Sequence, residues 1–443
     1  IRDLTSLEDF TLQDNQIDKI SRYIPELNNL ETLNLNSNKI SMLPNSFSNF
    51  KNLKKIRLKN NPIINNLKEI ESLSTMQKIA YLLSIQKKIT RPINEIKILV
   101  VGEERVGKTS LINRIVHNSY DDNTSSTMGI DINNFILPNG IKSNIWDFAG
   151  QEITHQTHKF FLTTRSLYLY ILDAQKEDDY SIYNWLETIH SNSNKSPIIV
   201  VVNKNDLNSS FEFDVHRYNK EFNIVDVIYT SAKNDNNISK LIDSIELNAS
   251  KLEHINDQIP ENWFIVKNLL EDYSTNKDYI ERNTFDNICL ENEIKKELDR
   301  NTLLKILNEI GTVVYYENRR LNNVQILNPT WVTNAVYSII RSGFLNEDAT
   351  LEEKNFTKIF ENNVHYNIRH FTWLIDLLNQ FEVSFPINDE KVLIPSRLSQ
   401  NQPDIKLTNT GLKFRFFYEK RLKKSIISQF IVKIYRYIDI DQD

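Results

Sequence analysis

Cysteine occurs once in 443 residues, at Cys289. One thiol excludes an internal disulfide framework and any zinc site made of several cysteines. It fits a reducing compartment, so a cytoplasmic location is expected. Long apolar runs are missing as well. None approaches the ~20 residues that span a bilayer, and no integral membrane segment is expected. The longest, Ile96 to Val101 and Ile198 to Val202, are short and β-branched, as buried parallel strands are. Neither sign of charge dominates. A formal net charge of -5, from 53 Lys and Arg against 58 Asp and Glu, gives no reason to expect nucleic acid or an anionic membrane as partner. A signal peptide is also missing. Residue 1 is Ile rather than Met and a repeat is already running there, so the chain is read as a fragment whose missing ends could carry targeting signals or further domains.

Glycine is scarce, with 8 in the chain, and five of them (Gly102, Gly107, Gly129, Gly140, Gly150) fall between positions 102 and 150. Glycine serves where the backbone takes unusual angles or approaches a ligand closely, so this stretch is marked as a site. The remaining composition, 40% hydrophobic and 25% charged, is that of soluble globular protein. The length predicts about two to four domains.

The N-terminal stretch repeats. Leu7, Phe10, Leu12, Asn15 and Ile17 recur as Leu30, Leu33, Leu35, Asn38 and Ile40, then as Leu53, Ile56, Leu58, Asn61 and Ile63. This pattern resembles the leucine-rich repeat, whose short strands line a concave face while the Asn side chain satisfies backbone groups in the turn. Each repeat buries its apolar face only against neighbours. Residues 1–66 are therefore expected to be a short solenoid with a partner-binding concave face. The spacing of Leu67, Ile70, Leu73, Ile79, Leu82, Leu83 and Ile85 predicts a helix over 67–89, within a connecting segment 67–92 that ends at Arg91-Pro92.

From 93 to 252 strand and helix signals alternate: Ile96 to Val101, Ser110 to His117, Ile130 to Leu137, Ile141 to Phe148, Ser166 to Asp173, Tyr180 to His190, Ile198 to Val202, Val225 to Tyr229, Ile238 to Leu252. Asn139-Gly140 between two strand-like runs reads as a hairpin turn. One antiparallel hairpin in a βα-alternating chain is the topology of small GTPases, an α/β P-loop domain with a mixed sheet and flanking helices. Residues 258–443 read as mixed helices and short strands without a nucleotide or metal signature.

Gly102, Glu103, Glu104, Arg105, Val106, Gly107, Lys108 and Thr109 fit G-x-x-x-x-G-K-[ST] between a strand and a helix. There the backbone N–H groups of the loop and of the helix start, Ser110 included, cradle phosphates. Lys108 would reach the β- and γ-phosphates, and the Thr109 hydroxyl would bind Mg²⁺. Asp147, Gly150 and Gln151 follow the next strand pair, with Asp147 placed for the metal, Gly150 for the γ-phosphate and Gln151 for the attacking water. Thr127, before the strand at Ile130, is placed to sense γ-phosphate through the metal. The expected metal set is thus Thr109, Thr127 and Asp147. Asn203, Lys204 and Asp206 would read the base, because a carboxylate at Asp206 accepts two donors that guanine has and adenine lacks. Ser231, Ala232 and Lys233 would close the base pocket.

Together these features resemble the Roco family: leucine-rich repeats, a Ras-like Roc GTPase domain and an α+β COR domain. Asp147 to Glu152 with His155 to Thr163 is similar to the Roc second switch region. Ile326 to Val332, with Pro329 and Trp331, resembles the COR signature, and Val392 to Ser396 resembles the end of its first half. Phe414 to Tyr418 would begin the second half, which normally runs past Asp443. The resemblance implies a GTP-hydrolysing switch, with GTP/GDP and Mg²⁺ as ligands, COR as relay, and a homodimer through COR in the full-length protein. Glu104 stands where Ras-type proteins keep a small residue for an arginine finger, so slow turnover is expected, with Arg105 and Arg165 as candidate cations. The alternative is a GTP-occupied scaffold with negligible hydrolysis. Repeats beside a P-loop also resemble immune-receptor ATPases, against which Asp206 and the Gly150-Gln151 pair count. His155 and His158 are read as switch or packing residues rather than zinc ligands, Lys420 to Lys424 as a solvated loop, and Trp331 and Trp373 as core aromatics.

Overall fold

The computed structural model describes residues 4–64, 73–86, 89–122, 129–148, 161–176, 179–193, 195–345, 348–361, 363, 365–366, 368–388, 390–398 and 425–437. The repeats form three short parallel strands, β1 (Asp9–Thr11), β2 (Thr32–Asn34) and β3 (Lys55–Arg57), in the register Phe10↔Leu33↔Ile56. The repeated Asn explains the spacing. The Asn38 amide donates to the Leu12 and Leu35 carbonyls at 2.8 and 3.0 Å and accepts from Ile17 N–H at 3.0 Å. Asn61 repeats this one turn later, donating to Leu35 and Leu58 at 2.8 and 2.9 Å and accepting from Ile40 N–H at 3.1 Å. A short amide with both donors and an acceptor suits a turn that leaves both kinds of backbone group facing inward.

Helix α1 (Thr75–Ile85) closes the array. Ser74 caps it, with Ser74 Oγ accepting from Gln77 N–H and Gln77 accepting from Ser74 N–H. The earlier residues of the expected helix, 67–72, lie outside the described residues. Thr90–Pro92, expected to be linker, is a strand (β4) that pairs antiparallel with Gln258–Pro260 (β11), beyond the next domain. The apolar side chains of the repeats, α1 and helix Glu261–Ser274 share one core, with Leu33, Leu58, Ile79, Leu82, Trp263 and Phe264 all buried. The repeats are therefore docked on the C-terminal part.

The central sheet contains β5 (Glu95–Val101), β6 (Ile130–Ile136), β7 (Lys142–Phe148), β8 (Ser166–Asp173), β9 (Ile198–Asn203) and β10 (Ile224–Tyr229) in the order β10-β9-β8-β5-β7-β6. Only the β6–β7 pair is antiparallel. Its turn holds Gly140 at φ +84°, with Gly140 N–H donating to Leu137 at 2.8 Å. Helices α2 (Lys108–His117) and Ile238–Ser250 cover the face to which Ile96, Ile98 and Val100 point. Leu99 and Val101 point to the other face, into a core continued by helix Pro329–Arg341 of the C-terminal part.

That part is α+β, with helices Glu261–Ser274, Arg282–Glu291, Glu297–Ile310, Pro329–Arg341 and Arg369–Gln380 and two small antiparallel sheets. Trp331 and Trp373 are core aromatics as expected, with indole N–H groups donating to His365 and Leu321 carbonyls at 3.1 Å. Buried charges tie it to the sheet. Lys267 Nζ lies 2.7 Å from Glu95 and 2.8 Å from Glu271, which also receives Lys142 at 2.8 Å. Among the described residues no helix is long and apolar enough to cross a membrane.

Asn61 is fully enclosed, so Asn61→Ala leaves backbone carbonyls and an N–H without partners. The expected loss is about 2–3 kcal/mol of stability, read as a lowered urea midpoint at unchanged slope.

Candidate functional site

The loop between β5 and α2 requires glycine at two points. At Gly102 (φ +147°) a Cβ would lie 2.4 Å from the Ile171 carbonyl of β8, and at Gly107 (φ +92°) 2.4 Å from Asn203 Nδ2. Any side chain there collides with backbone or with the Asn203 amide, so both positions are held to glycine. Lys108 is buried, its Nζ donating to the Gly102 and Glu103 carbonyls at 3.0 and 2.8 Å. Burial pushes its ammonium down to about 8, against the pull of Asp147. Thr109 Oγ1 donates to Asp147 Oδ2 at 2.5 Å, joining the helix start to the end of β7. Ser110 is half-buried on the next position, while on the loop Glu104 is half-buried and Arg105 exposed, 3.8 Å apart.

The base-side motifs interlock with this loop. Asn203 Nδ2 donates to the Val106 carbonyl at 3.0 Å, and its Oδ1 accepts from Ala232 N–H at 3.1 Å. Lys204, left-handed at φ +60°, donates to the Arg105 carbonyl at 2.7 Å and pairs with Asp173 at 2.8 Å. Ser231 is buried, its hydroxyl accepting from Asn234 N–H, and Asp206 stands exposed beside this frame. Lys233 reaches Asp122 at 3.1 Å, and Tyr120 donates to the same carboxylate at 3.0 Å. Thr127, Gly150 and Gln151 lie outside the described residues, as do His155 and His158.

Two features escaped the sequence reading. Glu103 turns its carboxylate away from the loop, accepting from Ser181 Oγ at 2.6 Å and Trp185 Nε1 at 3.0 Å on helix Asp179–Ser193. Its place inside the loop motif was the only signal. Tyr120 and Asp122 join the base side through Lys233, which no local pattern announces.

The structure places Arg165 away from the loop. Arg165 was a candidate cation for catalysis. It precedes β8 at the level of Ile96, because Lys97 pairs with Ser166. Gly102 is six residues further along β5, about 20 Å at the rise of a strand. There Arg165 is enclosed, its guanidinium 2.9 Å from Glu309 and 3.8 Å from Asp257. It fastens the sheet to the C-terminal part at the end opposite the phosphate loop.

A parallel sheet with one hairpin, a glycine loop ahead of α2, and base-side motifs after β9 and β10 define the Ras-like GTPase class of P-loop domains. Comparisons with known proteins then set the family. Family models match as "Leucine rich repeat" over residues 5–63, "Ras of Complex, Roc, domain of DAPkinase" over 97–206 and "C-terminal of Roc, COR-A domain" over 260–398. The solved structure of Methanosarcina barkeri Roco2 RocCORdC bound to GDP is 34% identical, with a TM-score of 0.66, across 70% of this chain and 98% of that one. A Roc-COR-CHAT protease of Runella zeae is 27% identical over 401 residues, 83% of this chain and 42% of that protein. The probable serine/threonine-protein kinase pats1 of Dictyostelium discoideum is 27% identical over 359 residues, 70% of this chain and 11% of that protein. The chain belongs to the Roco family, and it spans less than half the length of these two relatives.

Arg165→Ala strands two buried carboxylates, so it is expected to cost about 3–5 kcal/mol while leaving nucleotide affinity of the folded protein unchanged. Unfolding midpoints and a binding titration separate the two effects. His254 lies beside Arg165, and burial together with that positive charge lowers its pKa to about 3. Unfolded, His254 takes up a proton near its ordinary value of about 6.5; folded, it stays neutral down to about 3. Its contribution is therefore complete above 6.5 and falls as the pH drops, by at most about 1.4 kcal/mol per unit. Denaturation midpoints between pH 7 and 4 should fall less steeply in His254→Asn.

Proposed function

We propose that the Roc domain binds GTP with Mg²⁺ and hydrolyses it slowly as a molecular switch, with GDP as the retained product. The observation that carries this reading is the phosphate cradle. Gly102 and Gly107 admit no side chain, Lys108 is held at its mouth, and Asn203 locks it to the base-side motifs. On this reading Lys108 trades the Gly102 and Glu103 carbonyls for phosphate oxygens, at little reorganisation because it is already buried and aimed. Gly102, Glu104, Arg105, Val106, Gly107, Ser110 and Gly150 lend backbone groups to the phosphates. Asp206 accepts from the guanine edge, framed by Asn203, Lys204, Ser231, Ala232 and Lys233.

Thr109 Oγ1 and Asp147 Oδ2, 2.5 Å apart at the phosphate end, are the hard oxygen donors that Mg²⁺ prefers. With Thr127 they would hold the metal, which when bound neutralises phosphate charge. Gln151 orients the water whose oxygen attacks the γ-phosphorus while the bond to the β,γ-bridging oxygen breaks. With Arg165 engaged elsewhere, Arg105, whose side chain is 86% exposed beside the loop, is the remaining candidate cation. COR relays the nucleotide state and supports a homodimer in the full-length protein. The repeats receive a protein partner on their concave face, in the cytoplasm. The same locked Arg165 favours a second reading, a GTP-occupied scaffold with negligible hydrolysis.

Four substitutions test the assignment. Asp206→Asn should shift preference from GTP to xanthosine triphosphate, and retained GTP preference removes Asp206 from base reading. Lys108→Ala and Thr109→Asn should each weaken binding of a fluorescent GTP analogue by about 100-fold, since charge-assisted contacts in a desolvated pocket are lost. Gln151→Leu should slow single-turnover phosphate release while leaving affinity nearly unchanged, because water positioning acts in the transition state. Equal rates for wild type and Gln151→Leu would favour the scaffold.

A further inference from the structure

A loop that binds phosphates gathers positive potential, yet this one carries a carboxylate at its second position. Glu103 follows Gly102, whose backbone is pressed against the Ile171 carbonyl of β8, so the main chain has little room to shift there. The Lys108 ammonium donates to the Glu103 carbonyl at 2.8 Å and so stands within reach of the side chain of the same residue. Burial lowers the pKa of that ammonium, and the charges of Asp147, Glu103 and Glu104 pull against it. Turned toward Lys108, the Glu103 carboxylate would form an ion pair in the place phosphate takes, and it would repel phosphate as well.

The structure turns it the other way. Glu103 Oε1 accepts from Ser181 Oγ at 2.6 Å and from Trp185 Nε1 at 3.0 Å, two donors one turn apart on helix Asp179–Ser193. Trp185 is buried, with its ring 6.3 Å from that of Tyr170 in β8, so packing fixes this donor. A buried indole N–H takes some acceptor, and a neutral carbonyl would serve. An ionised acceptor makes the stronger bond, and taking it from the phosphate loop restrains a charge that the loop could not otherwise hold harmlessly.

We propose that Glu103 is a positioning residue for nucleotide binding: Ser181 and Trp185 hold its carboxylate against helix Asp179–Ser193, which leaves Lys108 open to a nucleoside triphosphate. This rests on the GTPase reading above. Released from the helix, the same carboxylate occupies Lys108 and the loop blocks itself.

The test uses the full chain with Ser181→Ala and Trp185→Phe combined, which removes both donors and leaves Glu103 charged. Affinity for a fluorescent GTP analogue with Mg²⁺ is measured for wild type, for this pair, and for the pair carrying Glu103→Gln as well. The pair is expected to bind at least about fivefold more weakly. Adding Glu103→Gln should restore affinity to within about twofold of wild type, because an amide neither neutralises Lys108 nor repels phosphate. A smaller loss overturns the proposal. So does a loss that Glu103→Gln fails to recover, since damage to the helix alone would not respond to the charge at Glu103. Should the pair fail to fold, Ser181→Ala alone, which introduces a strong helix former, is compared with Ser181→Ala plus Glu103→Gln. A loss of about threefold with the same recovery is then expected, and its absence overturns the proposal. A wild type that does not bind the analogue removes the GTPase reading and this role together. A wild type and an unlatched pair that bind it equally remove Glu103 alone.

Discussion

The molecule is registered on one strand. All seven residues of β5 are buried, because neighbouring strands flank it on both edges and apolar layers cover it on both faces. A strand so placed cannot slide by one residue without exchanging its faces. Its end fixes where the phosphate loop begins, and its beginning fixes where COR attaches through Glu95 and Lys267. The phosphate loop and the COR attachment share a backbone element with no freedom of register.

Glycine shows a second use of the same economy. Gly102 and Gly107 keep side chains out of the loop, as the clustering of glycine suggested. Gly129 and Gly311 serve the junction between domains. A Cβ on Gly129 would lie 2.6 Å from Thr333 Oγ1 on helix Pro329–Arg341, and the neighbouring Thr330 hydroxyl donates to the Ile130 carbonyl at 2.5 Å. COR thus rests on bare backbone just after the segment that carries Thr127, and again beside Lys97. At Gly129 a Cβ would clash, and at Gly311 the approach is tight and the backbone left-handed.

What the sequence made legible follows from local periodicity. The Asn-anchored repeats, the alternating strands and helices and the hairpin at Gly140 are each encoded within a few residues of themselves, and they stand where the pattern put them. What stayed hidden depends on partners far along the chain. Thr90–Pro92 becomes a strand only because Gln258–Pro260 reaches it, and two three-residue segments ending in proline carry no periodic signal. Arg165 read as a candidate catalytic cation, since nothing local reveals Glu309 and Asp257 around it. Glu103 read as one more loop residue until Ser181 and Trp185 turned its carboxylate outward.

The junction between Roc and COR follows from the same long-range placements. It combines an apolar core, shared by Leu99, Val101 and helix Pro329–Arg341, with two sets of ion pairs: Glu95, Lys267, Glu271 and Lys142 at one place, Arg165, Glu309 and Asp257 at another. Buried pairs of this kind add little net stability over apolar packing, but breaking one costs several kcal/mol because the partner is left uncompensated. The apolar layer is non-directional, and the ion pairs fix where it sits, since displacing COR by one side chain would strand charges at both places together. The repeats share their core with helix Glu261–Ser274, which carries Lys267, so one element packs against the repeats and pairs with Glu95.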